Sequence, residues 1–153
     1  MLPTFLFLKY FMTNLEKANH IVRNLMFANE TFIKWLGIEI IEVGIGFCKI
    51  KMTVRKEMTN GHGTAHGGIS YALADSCFAY CSNSLGKKAV SIETSISHTR
   101  PAFVGDVLFA TSNLENVSKS LAIFTVSVNN QDDKIVALFK GTVFRKEEDW
   151  IQI

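Results

Sequence analysis

A chain of 153 residues fits one domain and is too short for two cores of ordinary size. Sixteen basic against fourteen acidic residues leave a net charge of +2 with the signs interspersed, which excludes the one-sided basic surface of a nucleic-acid binder. With 48% hydrophobic residues, 20% charged, twelve Phe and two Pro, the chain has apolar surface to bury and does not belong to the disordered class.

Cys48, Cys77 and Cys81 are an odd number and draw no disulfide framework, so a reducing, cytoplasmic compartment is expected. The opening MLPTFLFLKYF lacks a basic n-region and a small-residue cleavage site. It is also shorter than the roughly 20 apolar residues of a bilayer span, so no membrane association is expected. Residues 1–11 read as an extension ahead of Met12, either an over-long start or a short added strand. The whole of 1–153 reads as one domain with its core at about 14–145.

From Thr13 to Phe27 the apolar residues Leu15, Ala18, Ile21, Val22, Leu25 and Met26 recur at three- and four-residue intervals, which predicts an amphipathic helix, a candidate lid. Phe32 to Trp35 reads as a short helical turn. Gly37–Val43 and Phe47–Val54 read as two strands around Gly44-Ile45-Gly46. In the second strand Cys48, Ile50, Met52 and Val54 alternate with Lys49, Lys51 and Thr53, so one face is buried and the other wet. A glycine-rich loop, Asn60 to Gly68, then leads to Ile69–Leu85, a stretch without Pro or Gly whose apolar residues lie on nearly every face. Such a helix should be surrounded by a curved sheet. The remainder reads as four strands: Lys88–His98, Asp106–Val117, Ser120–Asn130 and Lys134–Arg145. The fold class expected is α+β, one long helix wrapped by a single antiparallel sheet.

Asp75 carries the first chemical signal, because its neighbours one turn away are Tyr71, Ala72, Phe78 and Ala79. An ionised carboxylate is costly there unless paired, and burial makes it a stronger base or nucleophile. An Asp pointing through a gap to solvent, or bonding a loop N–H, is the plain alternative. His66-Gly67-Gly68 carries the second signal. A helix start offers unpaired N–H groups, and glycines let a carbonyl approach them, as an oxyanion hole requires; glycines before a helix also serve as ordinary turn residues. Asp75 lies eight residues after Gly67, about 12 Å along one helix. The two cannot serve one site from a single chain, whereas a second copy across a symmetric dimer could bring them together. Asn60, His62 and His66 could hold water or a carbonyl, with His62 more simply solvated. A zinc site from His62, His66, Cys77 and Cys81 is set aside, because one pair lies on a loop and the other along an apolar helix.

Asn60-Gly61-His62, His66-Gly67-Gly68, Leu73-Ala74-Asp75, Phe78-Ala79-Tyr80, Asn83-Ser84, Arg100-Pro101, Gly105-Asp106 and Val136-Ala137-Leu138-Phe139 together resemble the hotdog-fold thioesterases, in particular those of the phenylacetate-degradation (PaaI) type. The likeness runs from about Asn14 to Arg145, and residues 1–11 have no counterpart. It implies a hotdog fold that pairs into dimers and then homotetramers, with active sites at the dimer interface. It implies an acyl-CoA substrate, phenylacetyl, hydroxyphenylacetyl or medium-chain, and no separate cofactor. By the same likeness Asp75 is the catalytic carboxylate, Gly67 the carbonyl-polarising N–H, and Asn60 and His66 orient carbonyl and water. Gly68, Tyr71, Phe78 and Arg100 are the expected substrate-binding residues, with Arg100 or nearby lysines as the phosphate contact. Ser97-His98-Thr99 and Thr64-Ala65 depart from the pattern, so the acyl pocket is expected to differ. A non-catalytic acyl-CoA-binding module or sensor is the alternative reading. A hydratase on the same fold would use its His and carboxylate in another loop arrangement.

Overall fold

The structure, a computed structural model, describes residues 12–152; the expectation for residues 1–11 lies outside them. Among the described residues three α-helices and six strands follow in chain order. Helix α1 (Asn14–His20) is closed at its start by a capping box: the Thr13 side chain accepts from the Glu16 N–H, and the Glu16 carboxylate accepts from the Thr13 N–H at 2.7 Å. The single helix expected to Phe27 instead widens into a π-helical stretch, Ile21–Met26, and tightens into a 3₁₀ turn, Phe27–Asn29. A π turn takes more residues than an α turn and rotates the faces that follow. Ala18, Ile21 and Val22 are buried, while Leu15, placed on the apolar stripe by periodicity, is 51% exposed in the single chain.

Helix α2 (Thr31–Leu36) stops at Gly37, whose positive φ of 71° closes the helix in the left-handed region. Strands β1 (Glu39–Gly44) and β2 (Phe47–Thr53) form the expected hairpin, and in β2 the alternation holds: Cys48, Ile50 and Met52 are buried between half-exposed lysines. Gly46 at the turn donates its N–H to Ser84 Oγ at 2.9 Å, which ties the hairpin tip to the far end of the long helix.

That helix, α3 (Gly67–Asn83), begins two residues before the expected Ile69 because His66 caps it, Nδ1 accepting the Gly68 N–H at 2.9 Å. Strands β3 (Lys87–His98), β4 (Val107–Val117), β5 (Leu121–Asn129) and β6 (Ile135–Asp149) complete one antiparallel sheet in the order β1-β2-β4-β5-β6-β3. The sheet wraps α3, which packs against β2, β3, β4, β5 and β6. Phe78 stands at the centre, 1% exposed, with ring contacts to Phe124 and Phe139 and with Gly141 of β6 directly beneath it. Strand β6 runs past the expected end at Arg145 to pair Asp149 with Lys87. There Trp150 donates its indole N–H to Asn83 Oδ1 at 2.7 Å, so the last turn of α3 and the end of β6 hold each other.

Candidate active site

The glycine-rich loop folds around Asn60. Its Oδ1 accepts from the His62 N–H at 2.9 Å and the Thr64 N–H at 3.3 Å, and its Nδ2 donates to Thr64 Oγ1 at 3.1 Å. The amide expected to orient a carbonyl is therefore first the organiser of its own loop, with one Nδ2 hydrogen left over. The bridge between Thr59 and Ala65 closes the loop, and the His66 N–H donates to the Met58 carbonyl at 2.8 Å. Together these contacts hold His66 extended at the mouth of α3 (φ −60°, ψ 137°).

Three consecutive backbone groups then have distinct fates. The His66 carbonyl accepts from the Ile69 N–H at 2.8 Å, and the Gly68 N–H goes to His66 Nδ1. The Gly67 N–H between them has no acceptor among the described residues. It is an orphan donor at the positive end of a 17-residue helix, in a peptide whose carbonyl is already anchored. Because Nδ1 of His66 accepts a hydrogen bond, the neutral ring carries its hydrogen on Nε2, and His66 is exposed. Gly68, expected to touch substrate, spends its N–H on this cap.

Asn60 and Gly67 line an open cleft of about 340 Å³ with Ser70, His98, Arg100 and Val136 among its other walls. Arg100 is exposed at its rim, where a phosphate could reach it. Asp75 is not part of this cleft. It sits two turns further along α3, half-buried, and has no hydrogen-bond or ion-pair partner among the described residues; desolvation raises its carboxyl pKa above the usual range. Tyr71, one turn before it, bonds Thr94 Oγ1 of β3 at 2.7 Å and packs edge-on against Phe139.

One expected pocket wall is corrected by the packing: Phe78 is closed in by Phe124, Phe139 and Gly141 and belongs to the core. Cys77 and Cys81 are likewise buried, their thiols donating to the Cys48 and Phe78 carbonyls, with burial pushing both thiol pKa values up. His62 and His66 are exposed on the loop. His98 was legible only as a polar departure. Its place against Gly67, at 3.1 Å from Nε2 to the carbonyl oxygen, depends on the meeting of β3 with α3, 31 positions apart in sequence.

The separation between Gly67 and Asp75 is thus a property of the straight helix that carries both, and one chain leaves the orphan N–H and the desolvated carboxylate apart. Strand β3 lies at the sheet edge, with one side unpaired among the described residues, and Val90 and Ile92 are 43% and 57% exposed. A bulge between Ser91 and Glu93 leaves Ile92 with no residue opposite it on β6.

Comparison with known proteins identifies the family and the fold. The family described as Thioesterase superfamily matches residues 62–137, the stretch from the glycine-rich loop through β5 into β6. A putative esterase of Archaeoglobus fulgidus is 37% identical over 93% of this chain and 94% of its own. Acyl-coenzyme A thioesterase PaaI of Escherichia coli is 42% identical over 78% of this chain and 86% of its own. The solved structure of the E. coli PaaI protein from the phenylacetic acid degradation operon superposes with a TM-score of 0.86, covering 90% of this chain and 99% of that one.

Proposed function

The chain belongs to the thioesterase superfamily, of the PaaI type, and from that premise we propose that it hydrolyses the thioester of an acyl-CoA to the free acid and coenzyme A at sites shared between two protomers. The observation that carries the shared site is the pair on α3: a Gly67 N–H and a desolvated Asp75, each without a partner among the described residues, held two turns apart on one helix. Pairing of two β3 edges would run one sheet into the next and set the two α3 helices side by side. The Gly67 end of one helix then faces Asp75 of the other.

In that arrangement the thioester carbonyl oxygen accepts from the Gly67 N–H, which is already oriented and needs no reorganisation as charge grows on the oxygen. Water attacks the carbonyl carbon while Asp75 takes its proton, a task for which desolvation suits the carboxylate. The tetrahedral intermediate expels the thiolate, which leaves as coenzyme A on protonation. His66, with Nε2–H outward, donates to the water or the carbonyl, and the remaining Asn60 Nδ2 hydrogen is the second side-chain donor. Arg100 at the rim takes a phosphate of the coenzyme.

The acyl group proposed is phenylacetyl or hydroxyphenylacetyl, with medium-chain groups as the second class. The origin of the E. coli relative in a phenylacetic acid degradation operon supports the aryl choice. Dimers are proposed to pair further into tetramers through the outer face of the sheet, where Leu138 stays 47% exposed among Ser95, Ser97, Thr125 and Ser127. No helix among the described residues is long and apolar enough to cross a membrane. A cytoplasmic site of action is proposed on the three free, buried thiols.

Release of coenzyme A, read by thiol detection over phenylacetyl, hydroxyphenylacetyl, benzoyl and straight-chain acyl-CoA, tests the reading. Hydrolysis of aryl-acetyl thioesters that falls about 10²- to 10⁴-fold in Asp75→Asn is the expected result. Tight acyl-CoA binding with no turnover would instead identify a non-catalytic binding module.

A further inference from the structure

The cleft contains a histidine that the hydrolysis described above leaves without a task. His98 is the last residue of β3 and pairs with Ala137, which is fully buried on the helix side of the sheet. Residues directly opposite on neighbouring strands share a face, so the His98 ring turns in beneath the start of α3. There Nε2 lies 3.1 Å from the Gly67 carbonyl oxygen. A carbonyl only accepts, so Nε2 carries the hydrogen and donates. The ring is close enough that a Cβ built on Gly67 would meet its Cε1 at 3.2 Å and its Nε2 at 3.3 Å. Ser70 Oγ donates to the same oxygen at 3.1 Å.

The N–H end of that peptide unit is the Gly68 donor held by His66 Nδ1 at 2.9 Å. The Gly67–Gly68 peptide is therefore gripped by two imidazoles, one accepting from its N–H and one donating to its carbonyl. Two successive glycines have the widest backbone freedom of any pair, and the approach of a substrate to Gly67 needs the space their missing side chains leave. The grip restores the rigidity that the glycines give up. An N–H serving as an oxyanion donor is worth most when it is fixed in advance, so whatever fixes this turn bears on the rate.

We propose that His98 is a positioning residue for the hydrolysis: its Nε2–H bond to the Gly67 carbonyl, acting with the His66–Gly68 bond, locks the first turn of α3 so that the Gly67 N–H stays aimed at the thioester carbonyl. The inference rests on the hydrolase reading and deepens it. His98 does not touch the reacting atoms. It acts through Gly67, and its ring is what a side chain at position 67 would crowd.

Two variants separate this role from mere packing. In His98→Leu the ring's bulk is largely kept and the donor is lost; in His98→Gln the side-chain amide can donate the same bond. His98→Leu is expected to lower kcat about 10- to 100-fold, with KM for the same acyl-CoA within about two-fold and an unchanged thermal midpoint. His98→Gln is expected to recover most of that kcat. An unchanged kcat in His98→Leu, or a loss that Gln does not recover, overturns the proposal. Amide resonances of Gly67 and Gly68 and the ring ¹⁵N signals of His98, recorded without substrate, read the bond independently of turnover. A hydrogen on His98 Nε2, and glycine shifts that move in His98→Leu and return in His98→Gln, support the lock; glycine shifts indifferent to both variants overturn it. A wild-type protein that turns over no thioester would overturn the hydrolase reading, while these spectra still decide whether the lock exists.

Discussion

Asp75 and Gly67 are each costly placements with no structural return in the single chain. Burial without a partner raises the Asp75 pKa, so protonation is favoured in the folded state relative to the unfolded chain, where the group titrates near 3.8. The stability this group contributes is therefore fully present below about pH 3.8 and is lost as pH rises through its higher folded value. Asp75→Asn should melt at a higher temperature than the wild type at neutral pH and at the same temperature near pH 3, a comparison made by scanning calorimetry at both. The acid limb of the kcat/KM profile should lie above the ordinary carboxyl range, because the base must be ionised in the free enzyme. At Gly67 two substitutions isolate the N–H. Alanine and proline both bring a Cβ against the His98 ring, but only proline removes the donor. Proline is well suited to the first helical position, and the extended His66 before it satisfies the pre-proline constraint. Gly67→Pro should fall about 10²- to 10³-fold below Gly67→Ala in kcat; equal rates in the two would remove the Gly67 N–H from the mechanism.

At the level of elements, α3 is held by the sheet through Phe78 seated on Gly141. A Cβ at position 141 would stand 2.6 to 2.9 Å from three atoms of that ring. The ring is fixed by Phe124 and Phe139, with centroids at 6.0 and 5.4 Å, and has nowhere to move. Gly141→Ala should therefore cost about 1–3 kcal/mol, read as a lower urea midpoint with an unchanged slope. An unaltered midpoint would mean that α3 rides freely above β6. The elements also show what local pattern can reveal. The alternation of Cys48, Ile50 and Met52 fixed which face of β2 is buried, and the apolar surround of Asp75 marked its desolvation. The end of β6 was hidden because Lys146 to Asp149 carry no apolar period, and the π stretch because a 3.6-residue period assumes an unbroken α-helix. The resemblance names Phe78 for the substrate while the ring sits in the core, because a helix apolar on every face does not say which aromatic meets the sheet. His98 needed a long-range contact that no spacing encodes, although the polar run Ser97-His98-Thr99 did flag the strand end that carries it.

The molecule as a whole is a sheet with an open edge among the described residues, a helix wrapped by it, and a proposed reaction centre whose two parts lie two turns apart along that helix. The proposed second copy of the chain would cover the exposed Val90 and Ile92 at the β3 edge, the cleft at Gly67 and the uncovered side of Asp75 together. Subunit mixing tests this most directly. Asp75→Asn and His66→Ala proteins are co-refolded in equal amounts, and coenzyme A release is compared with each parent alone and with wild type at the same total concentration. Half of randomly formed dimers are hybrids, and a hybrid carries both lesions in one site and none in the other, so about a quarter of all sites should be intact. Recovery to about a quarter of wild-type activity is the expected result. A mixture no more active than the mean of its two parents would show that Asp75 and His66 serve the same site from one chain, and would contradict the shared-site account.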